Sequence, residues 1–161
     1  MPQYFDNVEN LAHEDRQYSF EIFSKRYLFH SDSGVFSKDG LDDGSRLLLE
    51  TIAKTDLGSE ILDLGCGIGP IGLVLADLDE SRSVTLVDVN DRALDCCREN
   101  AKTLGLNSNR ATILHSDVYD ALDGRLFSTI VTNPPIRAGK KVTYAMYAGA
   151  TGHLHQGGRL I

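Results

Sequence analysis

The sequence has little cysteine: three residues in 161, of which Cys96 and Cys97 are adjacent and Cys66 stands apart. An odd count with a vicinal pair makes a poor disulfide framework and lacks zinc-ligand spacing. Reduced thiols in a cytoplasmic protein are therefore expected. No apolar run approaches the ~20 residues that span a bilayer. The N-terminal MPQYFDNVENLAHEDRQ is too polar and acidic for a signal peptide, so no membrane partner is expected. Repeats and low-complexity segments are absent. Positive charge is scarce: 16 Lys and Arg against 23 Asp and Glu leave −7. Proteins that hold nucleic acid by bulk charge are basic, so a nucleic-acid substrate here needs a local basic patch or a helping partner. The five histidines (His13, His30, His115, His153, His155) show no ligand spacing. His153 and His155 do not share a helix face, and no metal is expected.

What is present is ordinary for a globular chain of about one domain: 42% hydrophobic and 24% charged residues. YSFEIF (18–23) alternates, and RYLF (26–29) follows across Ser24-Lys25, which reads as a β-hairpin. A loop rich in Ser, Asp and Gly leads to a helix near Ser45, with Asp43 or Ser45 as its cap. Regular alternation then sets in. EILDL (60–64), SVTLVDV (83–89), ATILHSD (111–117) and STIVTN (128–133) read as strands. LVLADL (73–78), NDRALDCCRENAKTLG (90–105) and VTYAMYAGATGHL (142–154) read as helices, the second closed by Gly105. GGRLI (157–161) starts a fifth strand.

Strand–helix alternation with near-continuous apolar strands predicts a mostly parallel α/β sheet. A ligand then sits at the carboxyl ends of the strands, where Asp63 to Gly69, Asp88, Asp117 and Asn133 to Pro135 lie. The predicted division is one domain: residues 1–43 form the hairpin and a covering loop, and 44–161 form a Rossmann-like core. A parallel edge strand with nothing beyond it leaves backbone groups unpaired, and another crossover unit takes ~30 residues. The expectation is that C-terminal strands are missing, or that a partner chain covers the edge.

DLGCGIGPIG carries two overlapping patterns. Gly67, Gly69 and Gly72 spell the dinucleotide fingerprint G-x-G-x-x-G. Gly65, Gly67 and Gly69, preceded by Asp63, spell G-x-G-x-G. Both require glycine because the backbone turns tightly and approaches a ligand with no Cβ between. Asp88 ends the next strand and can accept both hydroxyls of a ribose. NAD and S-adenosylmethionine both carry that ribose, so Asp88 does not separate them. Asn90 or Asp91 can cap the following helix, which frees Asp88. A pyrophosphate belongs at a helix N-terminus, whereas an acid such as Asp63 before the glycines suits a cationic ligand, the sulfonium and amino group of S-adenosylmethionine.

Only four prolines occur, and two stand together after an asparagine, in NPPI (133–136). Glycine loop, acidic strand end and N-P-P in this order resemble the class I S-adenosylmethionine-dependent methyltransferases, whose [ND]-P-P-x motif marks those acting on amino nitrogens. DSGVFS (32–37), DDGSRLLLE (42–50), DLGCGIGPIG and NPPIRAGK together are similar to the RsmC-type ribosomal RNA guanine-N2 methyltransferases. The resemblance runs from Tyr4 to Gly158.

That resemblance implies S-adenosylmethionine as cofactor and guanine N2 of small-subunit ribosomal RNA as target, with the RNA or the small ribosomal subunit as partner. A homodimer stays open. Asn133, Pro134, Pro135 and Ile136 would form the catalytic motif. The Asn133 side-chain oxygen and the Pro134 carbonyl would each accept one N–H of the amine, aiming its lone pair. Prolines remove competing donors and restrict the backbone. Ile136 stands where an aromatic is usual, so an apolar contact replaces stacking there. Gly65, Cys66, Gly67 and Gly69 would line the methionine part of the cofactor, with Asp63 near its amino group. Asp88, Val89 and Asn90 would hold the ribose, and Asp117 and Val118 would sit by the adenine. Phe36 and Ser37 would cover the cofactor, which Asn133 also borders. Arg137, Lys140 and Lys141 would meet RNA phosphates. Alternatives are adenine-N6 or glutamine-amide methylation on the same fold, a cofactor-binding but inactive chain, and a nicotinamide oxidoreductase, which gives Asn133-Pro134-Pro135 no task.

Overall fold

The computed structural model describes residues 15–32, 41–134 and 139–161. A hairpin of β1 (Asp15–Ile22) and β2 (Lys25–Asp32) comes first. Next are α1 (Asp43–Ile52), β3 (Glu60–Leu64), α2 (Pro70–Leu78), β4 (Ser83–Asp88), α3 (Asp91–Thr103), β5 (Ala111–His115) and β6 (Phe127–Thr132). α4 (Gly139–Ala150), a 3-10 turn (Thr151–His153) and β7 (Leu154–Leu160) complete the chain. The sheet order is β5-β4-β3-β6-β7, and every pair in it is parallel.

Strand alternation sends side chains into two cores. Ile61, Leu86 and Val131 face one that also holds Leu49 of α1, Ile71 of α2, Ala93 and Ala101 of α3, and the hairpin residues Phe20, Ile22, Tyr27 and Phe29. Leu62, Leu64, Val87 and Ile130 face the other, with Tyr119, Leu122, and Met146 and Ala150 of α4. Covering both faces is why the strands are apolar at nearly every position. The predicted α/β class and the N-terminal hairpin are what the structure has.

The hairpin turn is Phe23-Ser24, not Ser24-Lys25: Ile22 pairs with Lys25 and Glu21 with Arg26. Both turn residues are left-handed (φ 55° and 59°), as a two-residue turn matched to the strand twist requires. This register puts Phe20, Ile22, Tyr27 and Phe29 on one buried face. Asn100 of α3 clamps the hairpin to the core. Its Oδ1 accepts from the His30 N–H (2.6 Å), and its Nδ2 donates to the carbonyls of His30 (3.1 Å) and Ile68 (3.0 Å).

Some helix ends depart from expectation, and those of α3 meet it. The cap of α1 is Asp42, whose Oδ1 accepts from the Ser45 N–H at 2.8 Å. α2 starts at Pro70, where the ring pre-sets the helical φ in the first turn. Asn90 caps α3 by accepting from the Ala93 N–H. Past its other end, Gly105 is left-handed (φ 73°), and the N–H groups of Gly105 and Leu106 reach back to the carbonyls of Lys102 and Ala101. α4 starts and ends earlier than predicted, and β7 begins at Leu154 rather than Gly157.

Candidate functional site

The site forms at the carboxyl ends of β3, β4 and β6. The loop after β3 holds Gly65, Gly67 and Gly69 at φ 73°, 58° and 97°, a region that costs an L side chain roughly 1–2 kcal/mol. Its path is pinned from three directions. The Gly65 and Cys66 N–H groups both donate to the Val87 carbonyl at 2.9 Å. The Gly67 N–H donates to Asp88 Oδ2 at 2.8 Å, and the Gly72 N–H to Asp63 Oδ2 at 2.8 Å. A Cβ on Gly69 would lie 2.7 Å from Cys97 Sγ, and one on Gly72 would lie 2.8 Å from Leu86 Cδ2. Loop, α2 and α3 are thus packed at a distance only glycine permits.

Asp63 and Asp88 lie at the carboxyl ends of neighbouring strands and are 2% and 3% exposed. Burial pushes the Asp63 carboxyl up to about 7; the Gly72 N–H pulls the other way, and the Asp88 charge adds a smaller push upward. Two buried carboxylates near each other favour a cation beside them. Asp88 Oδ1 also accepts from the Asn90 N–H at 2.9 Å. Burial pushes the Cys66 thiol upward too, which keeps it a thiol rather than a thiolate.

Asp117 follows β5, exposed, one residue beyond Ser116, whose N–H donates to the Asp88 carbonyl. Val118 is left-handed (φ 54°), an outlier for a β-branched residue. Ser116 Oγ holds it by donating to the Val118 carbonyl at 2.7 Å. Such strain persists only where the surroundings impose it, and it clusters at functional sites.

Asn133 directly follows β6, half-buried. Its Nδ2 lies 3.1 Å from Ser45 Oγ and 3.5 Å from Asp42 Oδ1 at the start of α1. Pro134 follows, half-buried. Lys140 and Lys141 open α4, both exposed. The structure therefore brings Asp63, the glycine loop, Asp88, Val89, Asn90, Asp117, Val118, Asn133 and Pro134 to one end of the sheet. Phe36, Ser37, Pro135, Ile136 and Arg137 lie outside the described residues. Among the described residues no three His, Cys, Asp or Glu side chains are placed to hold a metal ion.

Several neighbours of the site escape sequence reasoning. From the sequence, Ser45 reads as a helix cap, and Asp42, Gly44 and Ser45 enter otherwise only within the DDGSRLLLE stretch of the family resemblance. Met146 of α4 sits under the site: its Cε would lie 3.6 Å from a Cβ on Gly65, and its Sδ accepts from Thr132 Oγ1 at 3.6 Å. Tyr119 ties the Asp117 segment to α4. Its hydroxyl donates to the Met146 carbonyl (2.6 Å), and its ring stacks on His153 at 4.5 Å. Tyr144 and Tyr147 are 72% and 51% exposed. With Gly139, Lys140 and Thr143 they line a shallow groove of ≈ 470 Å³. Spacing of four and three residues puts Lys140, Tyr144 and Tyr147 on one helix face, and α4 carries no acidic residue.

Comparison with known proteins agrees with this geometry. The family described as "Methyltransferase small domain" matches residues 26–161. The protein YbxB of Bacillus subtilis (strain 168), described as uncharacterized, is 40% identical over 158 residues, covering 98% of this chain and 78% of that one. Ribosomal RNA small subunit methyltransferase C of Yersinia enterocolitica is 41% identical over 131 residues, covering 79% of this chain but only 36% of its own length. Among solved structures, the Thermus thermophilus 16S rRNA N2 G1207 methyltransferase RsmC, in complex with AdoMet and guanosine, superimposes with a TM-score of 0.80 at 33% identity. That match covers 91% of this chain and 41% of the other, so this chain spans well under half of both RsmC proteins. The chain belongs to the methyltransferase small domain family, as an RsmC-like member of the class I S-adenosylmethionine-dependent methyltransferases.

Proposed function

We propose that this chain binds S-adenosylmethionine and methylates an exocyclic amine, guanine N2 of small-subunit ribosomal RNA. The observation that carries the proposal is the convergence, at one end of the sheet, of a left-handed glycine loop, a buried carboxylate pair and Asn133-Pro134. The residues present fit the cofactor. Asp63 and Asp88 make a site that favours positive charge, which matches a sulfonium and an ammonium and opposes a pyrophosphate. Gly65, Cys66, Gly67 and Gly69 would border the methionine part, with Asp63 near the amino group. Asp88, Val89 and Asn90 would hold the ribose, and Asp117 and Val118 the adenine. When bound, S-adenosylmethionine supplies a methyl group on a cationic sulfur.

The rest is the work of the chain. An exocyclic amine is a poor nucleophile because its lone pair is delocalised into the ring. Asn133 Oδ1 and the Pro134 carbonyl accept its two N–H bonds and turn the lone pair toward the methyl donor. Pro134 has no N–H to compete, and Pro135 restricts Pro134 in turn. On α4, Lys140 and Lys141 meet phosphates, while Tyr144 and Tyr147 offer faces on which unpaired bases stack. This local patch is what a chain of net charge −7 needs in order to meet RNA. The relatives' printed activities support the substrate: one is a 16S rRNA N2 methyltransferase solved with guanosine.

Labelled methyl transfer to small-subunit RNA, DNA and a glutamine-containing peptide, followed by nucleoside and amino-acid analysis, tests this reading. N2-methylguanosine in the RNA is the expected product. Label in N6-methyladenine or methylglutamine would replace the substrate assignment, and absence of label in every acceptor would refute the activity.

A further inference from the structure

The reading above needs Asn133 to present its carbonyl oxygen, yet an asparagine side chain has two faces of similar shape. The start of α1 chooses between them. Asp42 is an acceptor only. Ser45, 4% exposed, places its hydroxyl 3.1 Å from Asp42 Oδ2 and donates to it. Having given its proton to Asp42, the Ser45 oxygen can only accept. Asn133 therefore faces two acceptors, Ser45 Oγ at 3.1 Å and Asp42 Oδ1 at 3.5 Å, and only its NH2 group satisfies them. A flipped amide would set its oxygen against both. Gly44 leaves the space: a Cβ there would lie 3.3 Å from Asn133 Nδ2.

We infer that Asp42 and Ser45 are positioning residues that lock the Asn133 carboxamide with Oδ1 turned to the target amine. The inference rests on the function proposed above and extends it. The same carboxylate–hydroxyl–amide chain polarises the Asn133 carbonyl, making it a better acceptor. It also explains the choice of Asn over Asp at this position: a carboxylate at 133 would face the Asp42 charge and the Ser45 lone pairs.

The test is the pair Asp42→Asn and Asn133→Asp, alone and combined. Asn caps a helix as well as Asp does, so Asp42→Asn keeps α1 and the melting midpoint. It does place an NH2 group where Ser45 now donates, which reverses the chain of bonds. Asp42→Asn is expected to lower kcat about tenfold or more at unchanged KM for S-adenosylmethionine. Asn133→Asp lowers it further, and the double variant exceeds Asn133→Asp, because a carboxylate at 133 then meets the freed Ser45 hydroxyl as a donor and no longer faces the Asp42 charge. A kcat for Asp42→Asn equal to that of the parent, or additive losses in the double variant, would overturn the inference.

A second readout does not depend on turnover. In 15N-labelled protein the Asn133 side-chain NH2 signals, identified by their loss in Asn133→Ala, are expected to shift in both Asp42→Asn and Ser45→Ala. Signals unmoved by either change would overturn the inference. If the parent transfers no methyl to any acceptor, the functional reading fails and these signals alone decide the orientation claim.

Discussion

Replacing Gly69 by alanine separates the two reasons why that glycine is required. Its φ of 97° is worth roughly 1–2 kcal/mol against an L residue. Its new Cβ would stand 2.7 Å from Cys97 Sγ and 2.8 Å from Leu73 Cδ1. Both neighbours are fully buried, so neither can withdraw, and overpacking of this kind costs about 1–3 kcal/mol. The sum is about 2–5 kcal/mol. At this chain length each kcal/mol lowers the melting midpoint by ~2–4 °C, giving a fall of roughly 4–20 °C. Gly105 supplies the control for strain alone: its φ is 73°, and a Cβ there would meet nothing within 4 Å. Gly105→Ala should therefore cost only the first part, about 1–2 kcal/mol. Gly152 has neither a left-handed φ nor a neighbour within 4 Å, and Gly152→Ala should lie within about 0.5 kcal/mol of the parent. Calorimetric or circular-dichroism melts of the three variants give the order. Gly69→Ala no worse than Gly105→Ala would show that packing against Cys97 and Leu73 does not hold the loop, and a parental melt for Gly69→Ala would refute its left-handed path.

Other consequences are open to measurement. Asp63 holds its proton up to about 7 in the folded chain, against an ordinary 3.8. The folded state thus binds more protons than the unfolded one between those values, so the contribution of Asp63 to stability is full below about pH 4 and lost as pH rises through 7. The ceiling is ~4 kcal/mol, and urea unfolding of Asp63→Asn across pH 4–8 should lack that component. A cation bound beside Asp63 favours its ionised form, so S-adenosylmethionine affinity should rise from pH 6 to 8 in the parent and stay flatter in Asp63→Asn. Asn100→Ala removes the clamp to His30 and Ile68 and leaves buried backbone groups unpaired, a loss of ~2–5 kcal/mol in urea unfolding. Tyr144→Ala and Tyr147→Ala should each weaken RNA binding by ~1–3 kcal/mol without changing the melting midpoint or S-adenosylhomocysteine affinity. RNA binding equal to the parent would remove α4 from the substrate surface.

Which parts were readable in the sequence follows from how local their causes are. The three inner strands announce themselves because both their faces are covered, which forces Ile61, Leu62, Leu86, Val87, Ile130 and Val131 to be apolar without gaps. β7 is different: His155, Gln156 and Arg159 are exposed along it, so only its last residues look like a strand. The hairpin turn was misplaced by one residue because Phe23 and Ser24 adopt left-handed conformations without the Gly, Asn or Asp that usually signal them. The glycine loop was legible because positive φ leaves a glycine in the sequence. The surroundings of Asn133 were not, since Ser45 lies 88 residues earlier in the chain. A serine near a helix start reads as a cap, and nothing local says that its hydroxyl faces another strand end. Tyr144 and Tyr147 were equally silent, because a tyrosine on a helix reads as core until its exposure is known.

The central claim is that Asn133 acts on the amine and not on the cofactor. The direct test compares Asn133→Ala with the parent in two numbers: kcat for methyl transfer to small-subunit RNA, and the dissociation constant of S-adenosylhomocysteine by calorimetry. The account predicts a fall in kcat of about 10²-fold or more, with S-adenosylhomocysteine affinity within about threefold of the parent, since less than 1 kcal/mol is at stake there. Equal losses in both numbers, or a kcat that does not change, would contradict it.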